Sequence, residues 1–267
     1  MENGDQQSMA KSPAEVYDEL FVPALFRQWG PVMADAADLQ PGERVLDIAC
    51  GTGALTCAAV ERVGAHGSVV GLDANPDMLA VARAKRTPIE WLDGRAEALP
   101  FENAGFDAVV SQFGLMFFDD PKRALMEMMR VLRSGGRLAV AVCDAVERSP
   151  GYAVLAETLQ RLFGQRVADA FRAPFALGDP DRLHAFCADA GIEGAKVAQH
   201  SGTVRFSSIR ALVSTERACV WTLGGMLDDA QFERLSSECE EVLAPFATAA
   251  GAIAFEMPAL VITARKS

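Results

Sequence analysis

A short apolar segment, Val45 to Ala49, runs directly into two closely spaced glycines, Gly51 and Gly53. Residues 54–63, which follow, have the composition of a helix. In a strand–turn–helix unit of this kind, glycine allows a ligand close to the backbone and adopts torsion angles that other residues avoid. The free N–H groups and the positive dipole end of the helix lie at the same turn. We therefore predict a ligand site there.

The same unit is repeated along the next hundred residues. Further strands are predicted at 68–73, 89–92, 106–111 and 137–143, with helices at 76–86 and 121–133. Strands that alternate with helices in this way indicate βαβ units and a parallel sheet. Their nearly continuous apolar character is typical of strands covered on both faces. We predict an α/β fold with a Rossmann-like, mostly parallel, doubly wound sheet and helices on both faces.

The two ends of the chain have looser patterns. Residues 1–12 are predicted to be frayed, and residues 13–38 to form two short helices interrupted at Pro23 and Gly30-Pro31. After residue 147 we predict helices at 151–172 and 180–190, a strand at 195–206, a mostly helical insertion at 207–248 and an antiparallel C-terminal strand at 252–265.

These patterns divide the chain into three parts. We predict an N-terminal helical cap over residues 1–40 and a ligand-binding core over residues 41–146. The C-terminal part, residues 147–267, is predicted to complete the sheet and to carry helical lid elements at about 207–248.

The charge and cysteine content restrict the function classes. Lys and Arg number 25 against 36 Asp and Glu, a net charge of −11 that disfavours nucleic acid and anionic membrane partners. The six cysteines form no C-x-x-C pair, so we predict no metal site and no disulfide framework. Residues 1–11 lack the pattern of a signal peptide, and no apolar run approaches the ~18 residues of a membrane span. The sequence predicts a soluble, cytoplasmic protein.

Two acidic residues flank the glycine turn. Asp73 ends the second strand, twenty residues after Gly53, a spacing at which a carboxylate binds a ribose diol. A dinucleotide site would have Gly or Ala where this chain has Thr56, and the Tyr-x-x-x-Lys motif of one reductase class is absent. An adenosyl ligand without phosphates needs the same turn and carboxylate. Asp47, at the end of the first strand, supplies an acidic environment for a cationic methionyl group.

Several motifs together resemble those of class I S-adenosylmethionine-dependent methyltransferases. Val45-Leu-Asp-Ile-Ala-Cys-Gly-Thr-Gly53 resembles their first motif and Val69 to Met78 their second-strand motif. Gly94 to Phe101 resembles the adenine loop, and residues 106–111 and 130–137 resemble the next two strand motifs. The resemblance covers about residues 41–145. It is closest to the small-molecule branch (methyltransferase type 11-like) that includes the quinone-biosynthesis enzymes.

The resemblance implies S-adenosylmethionine as cofactor and a set of residues that bind it. The set comprises Tyr17, Asp47, Ala49, Gly51, Gly53, Asp73, Ala74, Met78, Arg95, Ala96 and Gln112. Asp73 would bind both ribose hydroxyls, and Ala74 and Met78 would pack against the adenine. Family members usually have Asp where this chain has Arg95, which has no acceptor atom. Asp93, a backbone carbonyl or water would then meet the adenine amino group.

The segment after the fourth strand is predicted to border the transferred methyl group, because ligands bind at the carboxyl ends of strands. Phe113 and Met116 from this segment and Trp221 from the insertion are the candidate substrate-binding residues. Leu115, Phe117 and Phe118 are predicted to belong to the core instead. No histidine is assigned as a base, and the catalytic residues stay unassigned.

These observations predict a methyltransferase that acts on a small, hydrophobic or aromatic acceptor at oxygen, nitrogen or carbon. The partners expected are the acceptor and, as an option, a second copy of the chain in a homodimer. Two alternatives stay open: an NAD-dependent oxidoreductase, and a protein that binds S-adenosylmethionine without transferring methyl.

Overall fold

The computed structural model describes residues 11–85 and 87–267. The start of the chain that was predicted to be frayed, up to residue 10, lies outside the described residues, as does Arg86 at the end of a predicted helix. The strands are β1 (Arg44–Ile48), β2 (Ser68–Asp73), β3 (Glu90–Asp93), β4 (Phe106–Gln112), β5 (Leu132–Cys143), β6 (Lys196–His200), β7 (Thr203–Phe206), β8 (Ile253–Glu256) and β9 (Ala259–Arg265).

The helices surround these strands in chain order. They are α1 (Pro13–Val16), a π-helix (Tyr17–Phe26), α2 (Trp29–Ala36), α3 (Ala54–Val63), α4 (Pro76–Ala84), α5 (Pro121–Val131), α6 (Pro150–Phe163), α7 (Gln165–Arg172), α8 (Pro180–Asp189), α9 (Ile209–Ala218) and α10 (Asp229–Val242). None of the helices described is long and apolar enough to cross a membrane.

Seven strands form one sheet in the order β3-β2-β1-β4-β5-β9-β6. The first five are parallel, and β9 runs antiparallel to both of its neighbours. Along β1, Val45 packs into one apolar cluster and Leu46 into another, so the sheet is buried on both faces. The predicted doubly wound α/β fold with an antiparallel C-terminal strand is confirmed.

The strand order reverses at β1, where the chain continues first to β2 on one side and later to β4 on the other. The connections therefore diverge above the carboxyl ends of β1 and β4, leaving a crevice. Ligands of open α/β sheets bind at such a switch point. The fold thus places the glycine turn, which follows β1, at the expected binding edge.

Two segments that were predicted to be single strands are each divided in two. Within residues 195–206, β6 joins the main sheet and β7 leaves it to pair with β8, and residues 252–265 divide correspondingly into β8 and β9. The divide lies at Gly202, whose carbonyl accepts from the Met257 N–H at 2.9 Å. A methyl group added to Gly202 would lie 2.2 Å from Cζ2 of Trp29, so the chain bends where only glycine fits.

Replacing Gly202 with alanine is expected to lower the free energy of unfolding by about 2 kcal/mol, because the methyl group overpacks a buried position. Urea unfolding measures the loss. Gly105→Ala is the control, since its added Cβ would approach no atom closer than 3.5 Å. Equal stability of the two variants would contradict the steric explanation of the bend.

Three predicted helices also differ in detail. Residues 151–172 form two helices because Gly164 between them has a φ of +83°. Neither predicted interruption of the N-terminal helices is found. Pro23 lies inside the π-helix, where Arg27 N–H bonds to the Val22 carbonyl five residues back, and Gly30-Pro31 lie in the first turn of α2. Wider turns of this kind are one way for helices to deviate from regular bonding. Helix α5 ends at Val131, so the two glycines predicted to close it belong to β5.

Candidate functional site

A cavity of about 360 Å³ opens at the carboxyl ends of β1, β2 and β4. All of the predicted cofactor and substrate residues line it except Asp47 and Gly53. The lining set is Tyr17, Ala49, Gly51, Asp73, Ala74, Met78, Arg95, Ala96, Gln112, Phe113, Met116 and Trp221. The structure thus brings together residues from the predicted cap, core and lid; the roles assigned to them and the domain boundaries stay predictions.

The Asp73 carboxylate is held in a fixed orientation at the end of β2. Its Oδ2 accepts from the Gly51 N–H at 2.7 Å, and its Oδ1 accepts from the Asn75 N–H at 2.8 Å. Burial raises the pKa of Asp73, and these two N–H donors oppose the rise. Each oxygen keeps a further lone pair. A carboxylate with two positioned acceptor atoms suits a diol.

The backbone is strained on both neighbouring strands at this edge. Ala49 after β1 has a φ of +55°, and Phe113 after β4 has a φ of +57°. Non-glycine residues rarely adopt this left-handed region, and such positions cluster at functional sites. Gly114 leaves no room for a side chain, because its Cβ would lie 2.6 Å from the Ala49 methyl group. The two strained loops therefore pack tightly under the cavity.

Asp47 and Gly53 lie behind the cavity wall. The Asp47 carboxyl is buried, and its Oδ2 accepts from the Thr56 hydroxyl at 2.6 Å. Burial raises the pKa of Asp47 to about 7. Gly53 has a φ of +90°, and a Cβ there would lie 2.5 Å from the Trp91 ring. Both residues shape the turn from behind, and a direct contact of either with a ligand stays a prediction.

One end of the cavity is formed by the loop after β3. Arg95 forms ion pairs with Asp119 and, at 3.5 Å, with Glu97, so its guanidinium is occupied by neighbouring carboxylates. Asp93, the suggested replacement acceptor for an adenine amino group, is not among the lining residues, whereas Glu97 is. Sequence analysis missed Glu97. Its position two residues after Arg95, in the same motif, was the available signal.

Gln112 contributes an unpaired acceptor at the end of β4. Its Nε2 donates to the Phe26 carbonyl at 3.2 Å, which fixes the amide. Its Oε1 is buried and has no hydrogen-bond partner among residues 11–85 and 87–267. A buried polar atom without a partner calls for an explanation, and a ligand with a donor group supplies one.

Aromatic side chains from both ends of the chain meet over the cavity. The Tyr17 ring lies 5.3 Å from Phe26 and 5.7 Å from Trp221, and Trp221 lies 6.3 Å from Phe117. Phe117 is 43% exposed and lines the cavity, so its predicted place in the core is wrong, whereas Leu115 is fully buried. The predicted cap and lid segments thus meet at one aromatic cluster.

One buried part of the wall, here called the inner wall, is formed by Cys143, Tyr152, Phe171, Phe175 and Glu216. It combines three aromatic rings and a thiol with a single carboxyl group. Sequence analysis missed both Tyr152 and Glu216 as site residues. The cavity thus has a polar end around Asp73 and a mostly apolar interior.

Known proteins resemble this chain in sequence and in fold. A profile of the ubiE/COQ5 methyltransferase family matches residues 14–207. A demethylmenaquinone methyltransferase of Renibacterium salmoninarum is 41% identical over 135 residues, which are 51% of this chain and 56% of that relative. A 2-phytyl-1,4-beta-naphthoquinone methyltransferase of Arabidopsis thaliana is 37% identical over 138 residues, 48% of this chain and 53% of that one. The chain thus spans about half the length of the curated relatives it matches.

A solved structure shares most of the fold. A Bacillus halodurans protein, itself only assigned as a methyltransferase, superposes with a TM-score of 0.60 at 21% identity. The superposition covers 89% of this chain and 98% of that one. At this identity the likeness shows the fold alone. The resemblance noted in the sequence is confirmed by the profile, which extends over most of the chain, and the protein belongs to the ubiE/COQ5 methyltransferase family.

Proposed function

We propose that this protein transfers the methyl group of S-adenosylmethionine to a small aromatic acceptor of the hydroquinone or phenol class. The observation that carries the proposal is the Asp73 carboxylate, fixed by Gly51 and Asn75 beside the glycine turn and facing a cavity with an apolar interior. It is the arrangement expected for a ribose next to a hydrophobic acceptor.

The residues present fit the cofactor. Asp73 would hold the two ribose hydroxyls, and Met78 and Ala96 would enclose the adenine. The unpaired Oε1 of Gln112 suits the ammonium of the methionyl group. When bound, S-adenosylmethionine supplies a methyl group on a positively charged sulfur, which is open to attack by an electron-rich atom.

The chain's own contribution is to position the acceptor and to exclude water. Phe113 and Met116, after β4, would hold the acceptor ring beside the methyl donor. The cluster of Tyr17, Phe117 and Trp221 would close the cavity from outside. Holding two reactants in line can remove several kcal/mol, up to about 7–11 kcal/mol, from the barrier of such a displacement.

The acceptor class is supported by two observations. The relatives named above are methyltransferases of demethylmenaquinone and of a phytyl naphthoquinone. The inner wall of this chain offers aromatic rings with a carboxyl and a phenol group, which suits a ring that carries hydroxyl groups. We therefore expect methylation at a ring carbon of a reduced quinone.

No observation favours a nicotinamide cofactor. The Thr56 position of the glycine fingerprint is fully buried, and its hydroxyl is bound to Asp47. The net charge of −11 supports a protein that does not bind nucleic acid. A cytoplasmic location and a homodimer stay predictions.

Calorimetric titration with S-adenosylmethionine, S-adenosylhomocysteine and NAD tests the cofactor. We expect micromolar binding of both adenosyl ligands and none of NAD. Transfer of labelled methyl to 1,4-naphthalenediol, kept reduced under anaerobic conditions, tests the reaction. Binding of NAD in place of the adenosyl ligands would contradict the proposal, and binding without labelled product from the diol would contradict the acceptor class.

A further inference from the structure

Two buried polar groups of the inner wall have no hydrogen-bond partner in the part of the chain that the structure describes. They are the hydroxyl of Tyr152 and Oε2 of Glu216, in side chains that are each 2% exposed. Both residues line the cavity. Buried polar atoms in folded proteins are nearly always paired, so two orphaned atoms in one wall require an explanation.

The two groups are neighbours brought together by distant elements. Tyr152 lies on α6 and Glu216 on α9. The Tyr152 hydroxyl is near enough to the Glu216 carboxyl for a weak hydrogen bond to lower the pKa of Glu216, but the two groups do not meet the geometry of a well-formed hydrogen bond. Burial raises the pKa of Glu216 to about 7, while the hydroxyls of Tyr152 and Thr222 oppose the rise. No positively charged group among the described residues lowers the pKa of Glu216. The polar neighbours of the Glu216 carboxyl are therefore uncharged hydroxyl and thiol groups, from Tyr152, Thr222, Cys143 and Cys219.

Asp47 is likewise buried with an unpartnered Oδ1, but its Oδ2 accepts from the Thr56 hydroxyl and it does not line the cavity. Two further buried carboxyl groups of this chain are paired. Glu127 accepts two bonds from the Arg130 guanidinium and one from the Leu99 N–H. Asp144 accepts from the Gln199 amide and the Ala145 N–H. Both have a structural explanation within the fold. Glu216 has none, although burying an uncompensated carboxylate is costly.

The surroundings point to the kind of ligand that completes the pair. Tyr152 is packed edge-on against Phe171 at 5.6 Å, Phe175 at 5.8 Å and Phe255 at 5.1 Å, which fixes its ring. A ligand at this wall would contact mostly aromatic rings, and a hydroxyl group on it would meet the two oxygens. A hydroxyl group on an aromatic ring suits both features.

We propose that Glu216 removes the hydroxyl proton of the methyl acceptor and that Tyr152 donates a hydrogen bond to the same oxygen. The proposal rests on the methyltransferase function proposed above and names its general base. It assigns a catalytic role to the lid segment, which the motifs of the core do not include.

The Glu216 carboxylate takes the proton from the acceptor O–H, and the charge left on oxygen is shared by the ring. A ring carbon forms the new bond to the methyl carbon while the S–CH₃ bond breaks, and its electron pair stays on sulfur. The same ring carbon then loses its hydrogen as a proton, which restores the aromatic ring. Glu216 then returns its proton to the product oxygen, and the proton from the ring carbon passes to water, so one proton is released in all.

Two variants separate this role from a structural one. Glu216→Gln keeps the shape and an acceptor oxygen but cannot take a proton, so kcat with 1,4-naphthalenediol should fall about a hundredfold with little change in KM. Tyr152→Phe keeps the packed ring, and diol binding should weaken about tenfold through the lost hydrogen bond. Glu241→Gln makes the same chemical change at an exposed position of α10 and should leave both values unchanged.

A binding measurement provides a second readout. Wild-type protein should bind the diol at least tenfold more tightly than 1,4-dimethoxynaphthalene, which has no hydroxyl, and Glu216→Leu should lose that preference. Each variant should bind S-adenosylhomocysteine within twofold of wild type, which shows that it is folded. If kcat of Glu216→Gln equals that of wild type, the base assignment is wrong while the methyltransferase function stands. If wild type itself transfers no methyl to the diol, the proposed function fails first.

Discussion

Replacing Asp73 with alanine is expected to weaken S-adenosylhomocysteine binding about a hundredfold. The carboxylate is placed to accept from two ribose hydroxyls, and a hydrogen bond to a charged group contributes about 1.5 kcal/mol or more. Two such bonds amount to about 3 kcal/mol, which corresponds to about a hundredfold in Kd. Calorimetric titration of both proteins measures the difference.

The position of Asp73 requires a control for the fold. Its oxygens also hold the N–H groups of Gly51 and Asn75, so the alanine variant could disturb the turn itself. Asp73→Asn keeps the shape and one acceptor oxygen. Its affinity for S-adenosylhomocysteine should lie between those of wild type and Asp73→Ala. Asp77→Ala removes an exposed carboxylate of α4 four residues away and should bind normally. Unchanged affinity in a folded Asp73→Ala variant would show that the ribose lies elsewhere.

The binding edge of the fold was predictable because its signals are local. The strand from Arg44, the turn at Gly51 and Gly53, and the acidic residue that ends β2 lie within thirty residues of one another. Parallel strands align their carboxyl ends, so Asp73 and Gln112 had to reach the same edge. The short strands after residue 195 were harder to predict. The bend between them lies at Gly202, where a side chain would clash with Trp29, which is far away in the sequence.

The inner wall was not predictable from motifs, because α6 and α9 are brought together only by tertiary packing. A signal for Glu216 was nevertheless present. Ile209, Leu212, Val213 and Glu216 follow the i, i+3, i+4, i+7 spacing of a buried helix face. A carboxylate at an apolar position of such a face predicts either a buried ion pair or a functional group. Trp221 was the residue of this insertion predicted from the sequence, and the insertion's buried acid was overlooked.

The free energy of unfolding is expected to fall as pH rises from about 5 to about 8, and Glu216→Gln should reduce that fall by about 3 kcal/mol. The pKa of Glu216 rises from its usual 4.5 to about 7 in the folded protein because the carboxyl is buried. At about 1.36 kcal/mol per pKa unit, this difference corresponds to about 3 kcal/mol. Urea unfolding at several pH values measures it.

The direction of this pH dependence follows from proton binding. Between pH 4.5 and 7 the folded protein keeps a proton on Glu216 that the unfolded chain has released. Stability therefore falls as pH rises through this window and levels off above it. Asp47, with a pKa raised from 3.8 to about 7 by burial, contributes a slope of the same sign. Glu216→Gln should thus remove only part of the fall, and Glu241→Gln none of it.

The free-energy cost of burying the ionised Glu216 carboxyl links the stability of the protein to its function. Above pH 7 the ligand-free protein carries a buried carboxylate without a compensating cation, so an acceptor hydroxyl that reaches Glu216 relieves an unfavourable state. At pH 8, 1,4-naphthalenediol should therefore raise the Tm of wild type by several degrees more than that of Glu216→Leu, which has neither the charge nor an acceptor oxygen, because a ligand that binds only the folded state stabilises it more the more tightly it binds. An equal rise in both proteins would mean that the diol binds without contacting Glu216, and that the buried acid has no part in the site.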